Sequence, residues 1–222
     1  MLIDLSHAVE HGMITYKGLP GPVISDHLSR ESSRSIYEAG TEFQIGKIEM
    51  VANTGTYLDS PFHRYPEGKD LSQLPLESLA DLDGIVVRCL SSGIDPSQRE
   101  IPSDVLKNMS LSNKAVLFNT GWAQHWRTEK YSDGTHPFLS VATVDLLLKA
   151  KPALIGIDSF NIDNTSTGQR PVHSMLLNAE IPIVEHLCSL DNLPDTNFRF
   201  FAVPVKVKAF GTFPVRAFAL VK

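Results

Sequence analysis

Apolar residues along this chain fall mostly on the period of strands and less often on that of helices. "GIVVRCL" (84–90), "AVLFNTGW" (115–122) and "PALIGIDS" (152–159) are short continuous apolar runs. Such runs predict strands buried on both faces of a sheet. The opening "MLIDLSHAV" alternates apolar and polar positions and predicts another strand. In "TEFQIGKIEMVA" (41–52), Phe43 and Ile45 share one phase while Ile48 and Met50 share the other, which predicts a bulge or bend at Gly46. Two long strands are expected near the C-terminus, around a turn at 210–212. Phe201, Val203, Val205 and Val207 alternate in the first. Phe213, Val215, Ala217, Ala219 and Val221 alternate in the second.

Helical signals are fewer. "SVATVDLLLKA" offers Ser140 as an N-cap, with Val141, Val144 and Leu148 as apolar positions. "VHSMLLNAE" predicts a second helix, ended by Pro182, and "PSDVLKNM" and "LPLESLADL" predict short ones. Two turn-rich stretches, 61–68 and 158–171, have the length of functional loops. No repeat, low-complexity tract or linker divides the 222 residues, which therefore read as a single mixed α/β domain rich in strand.

Composition narrows the partners. A hydrophobic share of 42% with 20% charged residues fits a folded globular chain. The net charge of −5 argues against a nucleic-acid or anionic-membrane surface, which needs a basic excess. No apolar run reaches membrane-spanning length, and "MLIDLSHAVEHG" has neither the basic start nor the apolar core of a signal peptide, so a cytoplasmic protein is expected. Cys89 and Cys188 sit in apolar surroundings without ligand spacing and read as buried thiols.

Candidate chemistry concentrates in "NTGTYLDSPFH" (53–63). Alternate side chains of an extended backbone share a face, so Asn53, Gly55, Tyr57 and Asp59 fall on one side and Thr54, Thr56 and Leu58 on the other. Gly55 leaves room over the first face, and Pro61 fixes the backbone ahead of His63. One strand end then presents an amide, a phenol, a carboxylate and an imidazole to a common cavity. The alternative is a turn Asn, a β-favouring Tyr, and a surface Asp and His. His173 and Glu185 form a second cluster. Glu185 ends the strand-like "IPIV", where a buried carboxylate needs a metal, an imidazole or an arginine as partner. His186 points to the opposite face if that strand continues and is set aside. Arg64 reads either as a ligand for a substrate carboxylate or as a surface ion pair. Trp122 and Trp126 are pocket lining or core. Asp158 and Asp163 are either extra carboxylates at the site or Asx-type shapers of the 158–171 loop. His7, His11, His27 and His125 have no spacing that forces a role.

Together these clusters resemble the cyclase family of metal-dependent hydrolases, which includes kynurenine formamidase and isatin hydrolase. The family signature H-x-G-T-H-x-D-x-P-x-H aligns with N-T-G-T-Y-L-D-S-P-F-H here, and "IDLSHAVEHGM", "LFNTGW", "HPFLS" and "LIGIDSFNID" follow the family's order. The resemblance implies a swivelling β/β/α fold with a strand-rich core and peripheral helices. It implies hydrolysis of a small amide substrate, of the arylformamidase or cyclic-amide type, by a homodimer or higher oligomer. Asp59, His173 and Glu185 take the place of ligands to one divalent ion, zinc or manganese. His63 takes that of the acid/base, joined by Glu185, while Tyr16, Tyr57, Asn53 and Arg64 face the substrate. Asn53 and Tyr57 stand where the family has histidines. Imidazole suits zinc and an amide oxygen suits harder ions, and a phenol with a pKa of about 10 seldom ionises. Three outcomes are open. The ion is retuned, with Asn53 or water completing its shell. Or it is replaced, with Tyr57 donating to Asp59 and His63, Tyr57 and Glu185 doing metal-free acid/base work. Or the scaffold only binds a small molecule.

Overall fold

The computed structural model describes residues 1–89 and 98–221, so Leu90, the last residue of the expected "GIVVRCL" strand, lies outside the described residues. The strands in chain order are β1 (Leu2–Asp4), β2 (Val23–Leu28), β3 (Ile45–Glu49), β4 (Tyr57–Asp59), β5 (Leu82–Arg88), β6 (Glu100–Ile101) and β7 (Ala115–Asn119). They continue with β8 (Phe138–Leu139), β9 (Leu154–Ile157), β10 (Ile183–Glu185), β11 (Phe198–Phe201), β12 (Thr212–Pro214) and β13 (Phe218–Val221). The helices are α1 (Arg30–Ser33), α2 (Val141–Ala150) and α3 (Pro171–Asn178).

The three continuous apolar runs form the centre of a curled nine-stranded sheet, ordered β1-β13-β11-β5-β7-β9-β10-β4-β12. Strands β5, β7, β9 and β10 run parallel. Every residue of β7 and β9 is buried, because apolar side chains cover both faces. On one face Ile85, Val116, Phe118, Ile155 and Ile183 pack against Val144 and Leu147 of α2 and Val172 and Leu176 of α3. On the other, Val86, Leu117, Leu154 and Val184 join Leu58, Phe198 and Phe200. The expected strand-rich α/β core with outer helices is the one observed.

Ser140 caps α2, its hydroxyl accepting from the Thr143 amide at 3.0 Å. The buried stripe runs through Thr143, Val144 and Leu147 instead of Val141, which is exposed. Pro171 occupies the first turn of α3, where no N–H is needed. "PSDVLKNM" and "LPLESLADL" become single 3₁₀ turns at Ser103–Leu106 and Leu76–Ser78.

Two expectations need correction. The C-terminal pair of long strands does not exist as such. Strand β11 stops at Phe201, and β12 crosses to pair with β4 at the far edge of the sheet. Pro204 cannot donate to a ladder. The buried phase here is Phe198, Phe200 and Ala202, leaving Val203 and Val205 exposed. Adjacent Phe200 and Phe201 offer both phases, and the alternation through Phe201 is the solvent-facing one. The second correction concerns β3, which joins only β2, in an antiparallel hairpin outside the main sheet. Its register breaks beside Gly46 as expected, but the extra residue is His27 on β2, and every β3 residue is exposed.

Candidate active site

Strand β4 lies between β10 and β12 and is antiparallel to both. Register places Tyr57 opposite Glu185 and Asp59 opposite both Ile183 and Thr212. Directly opposed residues share a face of the sheet, so these polar side chains converge where α3 packs. Helix α3 adds His173. Glu185 ends β10, and the 158–163 segment follows β9, so the site sits beyond the carboxyl ends of parallel strands, where such sheets bind ligands. Tyr16, Asn53, Tyr57, Asp59, His63, Arg64, His173 and Glu185, the eight residues expected from the sequence, border one cavity of about 280 Å³. Leu19, Asn161 and Arg170 complete its wall and were not anticipated.

The expected extended backbone over 53–59 is strand only at Tyr57–Asp59, and the opposite-face residues Thr56 and Leu58 pack away from the cavity. Thr56 Oγ1 donates to the His186 carbonyl at 2.6 Å and accepts from the His7 amide at 3.0 Å, while Leu58 enters the core. Gly55 has a different reason from the one expected. Its φ is +64°, and a Cβ there would lie 3.2 Å from Val9, so it permits a left-handed turn under the N-terminal segment instead of opening the cavity.

Asp59 is fully buried. Its Oδ1 accepts from the Thr212 hydroxyl at 2.5 Å, and among the described residues its Oδ2 has no hydrogen-bond partner. The His63 Nδ1 lies 2.8 Å from the same hydroxyl. A hydroxyl has one proton. Because Thr212 gives it to Asp59, it accepts from His63 Nδ1–H, and the lone pair of neutral His63 is on Nε2. Thr212 carried no functional signal in the sequence.

Glu185, also fully buried, has both oxygens engaged. Oε1 accepts from the Ile162 amide at 2.7 Å and Oε2 from the Tyr57 phenol at 2.6 Å. Burial raises its pKa, an effect that the His173 charge opposes. His173 Nδ1 is bonded to Asp163 Oδ2 at 2.7 Å, and its Nε2 lies 3.6 Å from both Asp59 Oδ2 and Glu185 Oε1. Burial disfavours the imidazolium, but Glu185, Asp163 and Asp59 outweigh it and raise its pKa to about 10.

These residues fit a divalent ion. A distance of 3.6 Å is too long for a hydrogen bond. The three ligand atoms lie within 4.8 Å of one another, one of them a bare buried carboxylate oxygen. The imidazole is oriented through its other nitrogen by a carboxylate, the usual arrangement behind a metal-binding histidine. Asp163 also accepts from the Val172 and His173 amides, so it starts α3 as it aims His173. Its role is therefore larger than shaping its own loop. Asp158 instead ties the end of β9 to Thr120 and Gly121.

Tyr57 does not donate to Asp59, as one sequence alternative had it; its partner is Glu185. Burial first, and the Glu185 charge second, hold the pKa of Tyr57 and of Tyr16 well above the ordinary phenol value. Both are neutral donors. Tyr16 lies 2.7 Å from the Tyr57 hydroxyl and accepts from Asn161 Nδ2 at 3.1 Å. His186 also belongs here. Its φ of +57° breaks the strand after Glu185, so the ring does not swing to the opposite face. Its Nε2 lies 3.2 Å from Tyr16 Oη and its Nδ1 2.7 Å from Tyr131 Oη. Burial keeps its pKa well below the usual imidazole range, so the ring is neutral. The left-handed φ had no signal in the local sequence.

The remaining candidates separate clearly. Arg64 borders the cavity and bonds Ser174 Oγ at 3.2 Å; among the described residues it has no carboxylate partner, so the surface ion pair is not formed. Asn53 borders the cavity. Trp122 is core, its Nε1 bonded to the Tyr131 carbonyl. Trp126 stacks on His7 behind the site. Both cysteines are free thiols; Cys89 is buried as expected, whereas Cys188 is only half-buried.

Relatives share this framework. The chain is 29% identical over 217 residues to a kynurenine formamidase of Bacillus cereus, covering 97% of this chain and 95% of that protein. Isatin hydrolase A from Labrenzia aggregata, solved with benzyl benzoate, superposes with a TM-score of 0.83 at 20% identity, covering all of this chain and 93% of the other. A potential metal-dependent hydrolase with cyclase activity superposes at 0.77 with 21% identity, over 99% and 96% of the two chains. The family model described as "Putative cyclase" matches residues 3–164, which include Asp59 and His63 and stop short of His173 and Glu185. This chain belongs to the cyclase family.

Proposed function

We propose that this single-domain chain is a metal-dependent hydrolase of a small amide, of the arylformamidase or cyclic-amide type. The observation that carries the reading is the bare buried Oδ2 of Asp59, which faces His173 Nε2 while the other oxygen of the same carboxylate lies 3.8 Å from the accessible His63 imidazole. Asp59, His173 and Glu185 would hold one divalent ion, zinc or manganese, since two carboxylates and an imidazole suit either. Such an ion polarises a carbonyl and lowers the pKa of bound water. His63 takes a proton at Nε2 and returns it to the leaving nitrogen, while Thr212 holds its Nδ1. Glu185 is kept in place by Tyr57 and the Ile162 amide. Tyr16, Tyr57, Asn53 and Arg64 face the substrate across the cavity. The B. cereus relative's name is consistent with an N-formyl aromatic amide as substrate.

Metal analysis and chelation test this reading. We expect about one divalent ion per chain, loss of formanilide hydrolysis after chelation, and its return with Zn²⁺ or Mn²⁺. Full activity in metal-free protein would overturn it in favour of acid/base work by His63, Tyr57 and Glu185. No turnover across a broad amide panel, with or without added ions, would reduce the chain to a binder. We further propose a homodimer or higher homo-oligomer. Supporting this, the β2–β3 hairpin lies outside the main sheet and exposes Val23, Ile24, Ile45 and Ile48, with Ile24 directly opposite Ile48. Light scattering giving a monomer mass would reject it.

A further inference from the structure

A carboxylate meets a metal ion through one oxygen or through both, and the partners of its second oxygen decide which. At Glu185 the two oxygens differ. Oε2 accepts from the Tyr57 phenol at 2.6 Å, and the Tyr16 hydroxyl at 3.3 Å and Asn161 Nδ2 at 3.5 Å surround the same atom. An ionised carboxylate oxygen has about two lone-pair sites, so Oε2 is fully occupied. Oε1 accepts only from the Ile162 amide among the described residues and lies 3.6 Å from His173 Nε2, with one site to spare. The Asp59 carboxylate is divided in the same sense. Its Oδ1 is held by Thr212, and its Oδ2, 3.6 Å from the same imidazole nitrogen, is the free atom.

The pocket therefore offers an ion three single atoms, one from each of Asp59, His173 and Glu185. Tyr57 supplies none, because its one proton is given to Oε2. Zinc at catalytic sites is content with three protein ligands and an open position, whereas manganese prefers an octahedral set of about six ligands, mostly oxygen. A Glu185 free to turn both oxygens inward would move the set toward the larger number. Tyr57 blocks that turn. Both side chains are buried, and they face each other in the register of β4 and β10, so the restraint is built into the sheet.

We infer that Tyr57, itself no ligand, sets the ion selectivity of this pocket: by holding Glu185 to one oxygen it favours zinc and disfavours manganese. Tyr16 backs it from the far side of the same oxygen. The inference rests on the metal site of the hydrolase reading above. It adds which of the two ions is preferred and which side chain enforces the preference.

The test titrates the full chain, stripped of metal, with Zn²⁺ and with Mn²⁺ in competition with a chromophoric chelator. Zinc outcompetes manganese at most sites of this kind, so the readout is the change in the zinc-to-manganese affinity ratio between parent and variant. Tyr57→Phe alone is expected to lower the ratio only about threefold, since Tyr16 inherits the contact, and the Tyr16→Phe/Tyr57→Phe pair about tenfold, the scale on which partners behind a ligand act. A phenol that merely kept Glu185 in place would, on its loss, weaken both ions alike and leave the ratio unchanged. A ratio within about twofold of the parent's in the paired variant therefore overturns the inference while the metal reading stands. Co²⁺ gives a readout that needs no variant, because it absorbs visible light strongly when four-coordinate and weakly when six-coordinate. The Co²⁺-loaded parent should show the strong bands; weak bands would overturn the inference even if both variants failed to fold. A parent that binds none of the three ions overturns the metal reading, and this inference with it.

Discussion

Strand β4 presents one carboxylate system on each side, and the two are finished differently. Toward β12, Asp59 keeps an oxygen with no donor, and its other oxygen leads through Thr212 to His63, at an accessible edge of the cavity. Toward β10, Glu185 has both oxygens satisfied, and Tyr57 leads to half-buried Tyr16 and through it to buried His186 and Tyr131. A bare buried carboxylate oxygen is costly unless something binds it. The Asp59 side is therefore open for chemistry, while the Glu185 side is closed and holds position. This division also separates the two residues aligned above with histidines of the signature. Tyr57 strengthens the closed side, and Asn53 stays at the cavity wall.

The largest effect should come from the open side. His63 is not in the Asp59, His173 and Glu185 group, so His63→Gln removes the proposed acid/base while leaving the proposed ligands intact. A drop in kcat of about 10²–10⁴-fold is expected, the range for losing general acid–base catalysis. Bound metal should stay at the parental level. A kcat within tenfold of the parent would take the proton-transfer role away from this side of β4.

On the closed side, Tyr57→Phe should act on stability before rate. It removes the 2.6 Å donor to Glu185 Oε2. A buried acceptor left without its donor costs about 1–3 kcal/mol. The Tyr16 hydroxyl, 3.3 Å from the same oxygen, can take over part of the contact, which favours the lower half of that range. Denaturant midpoints at constant m would measure the loss. If Tyr57→Phe lowers kcat as far as His63→Gln does, the two sides are not distinct in role.

How much of this was legible in the sequence follows from the distance over which each feature is specified. The side-chain phase of Tyr57 and Asp59 is local to one strand, and the sequence pattern assigned it to the cavity side, where both are found. Glu185 was found because a carboxylate ending an apolar run needs a partner. The pairings that define the two sides were not legible. Tyr57 meets Glu185 across 128 positions and Thr212 meets Asp59 across 153, through the register of three strands. His186 was misplaced because alternation assumes an extended backbone, and its φ is +57°. The same reliance on alternation misread the strand after Phe201, where two adjacent phenylalanines fit either phase. Arg170 lies in a loop whose carbonyls hold it, a contact with no periodic signature.

A smaller effect tests what supports the closed side from behind. His7 donates its amide to Thr56 and stacks its ring on Trp126 at 3.9 Å, and Trp126 in turn meets the His186 ring edge-on. Among the described residues the buried His7 Nε2 has no partner, and burial lowers the ring's pKa to about 4 from 6.5. Above pH 6.5 the ring is neutral both folded and unfolded and adds no pH dependence. As pH falls from 6.5 toward 4, the unfolded chain takes up a proton that the folded ring resists, so stability declines, and the decline levels off below the folded pKa. His7→Phe keeps an aromatic stack and removes that titration. Its melting temperature should therefore fall less steeply between pH 6.5 and 4 than the parent's, with the carboxylates supplying the slope that remains. Parallel slopes for the two proteins would show that His7 is solvated in the folded state and that the stack behind His186 is open to water.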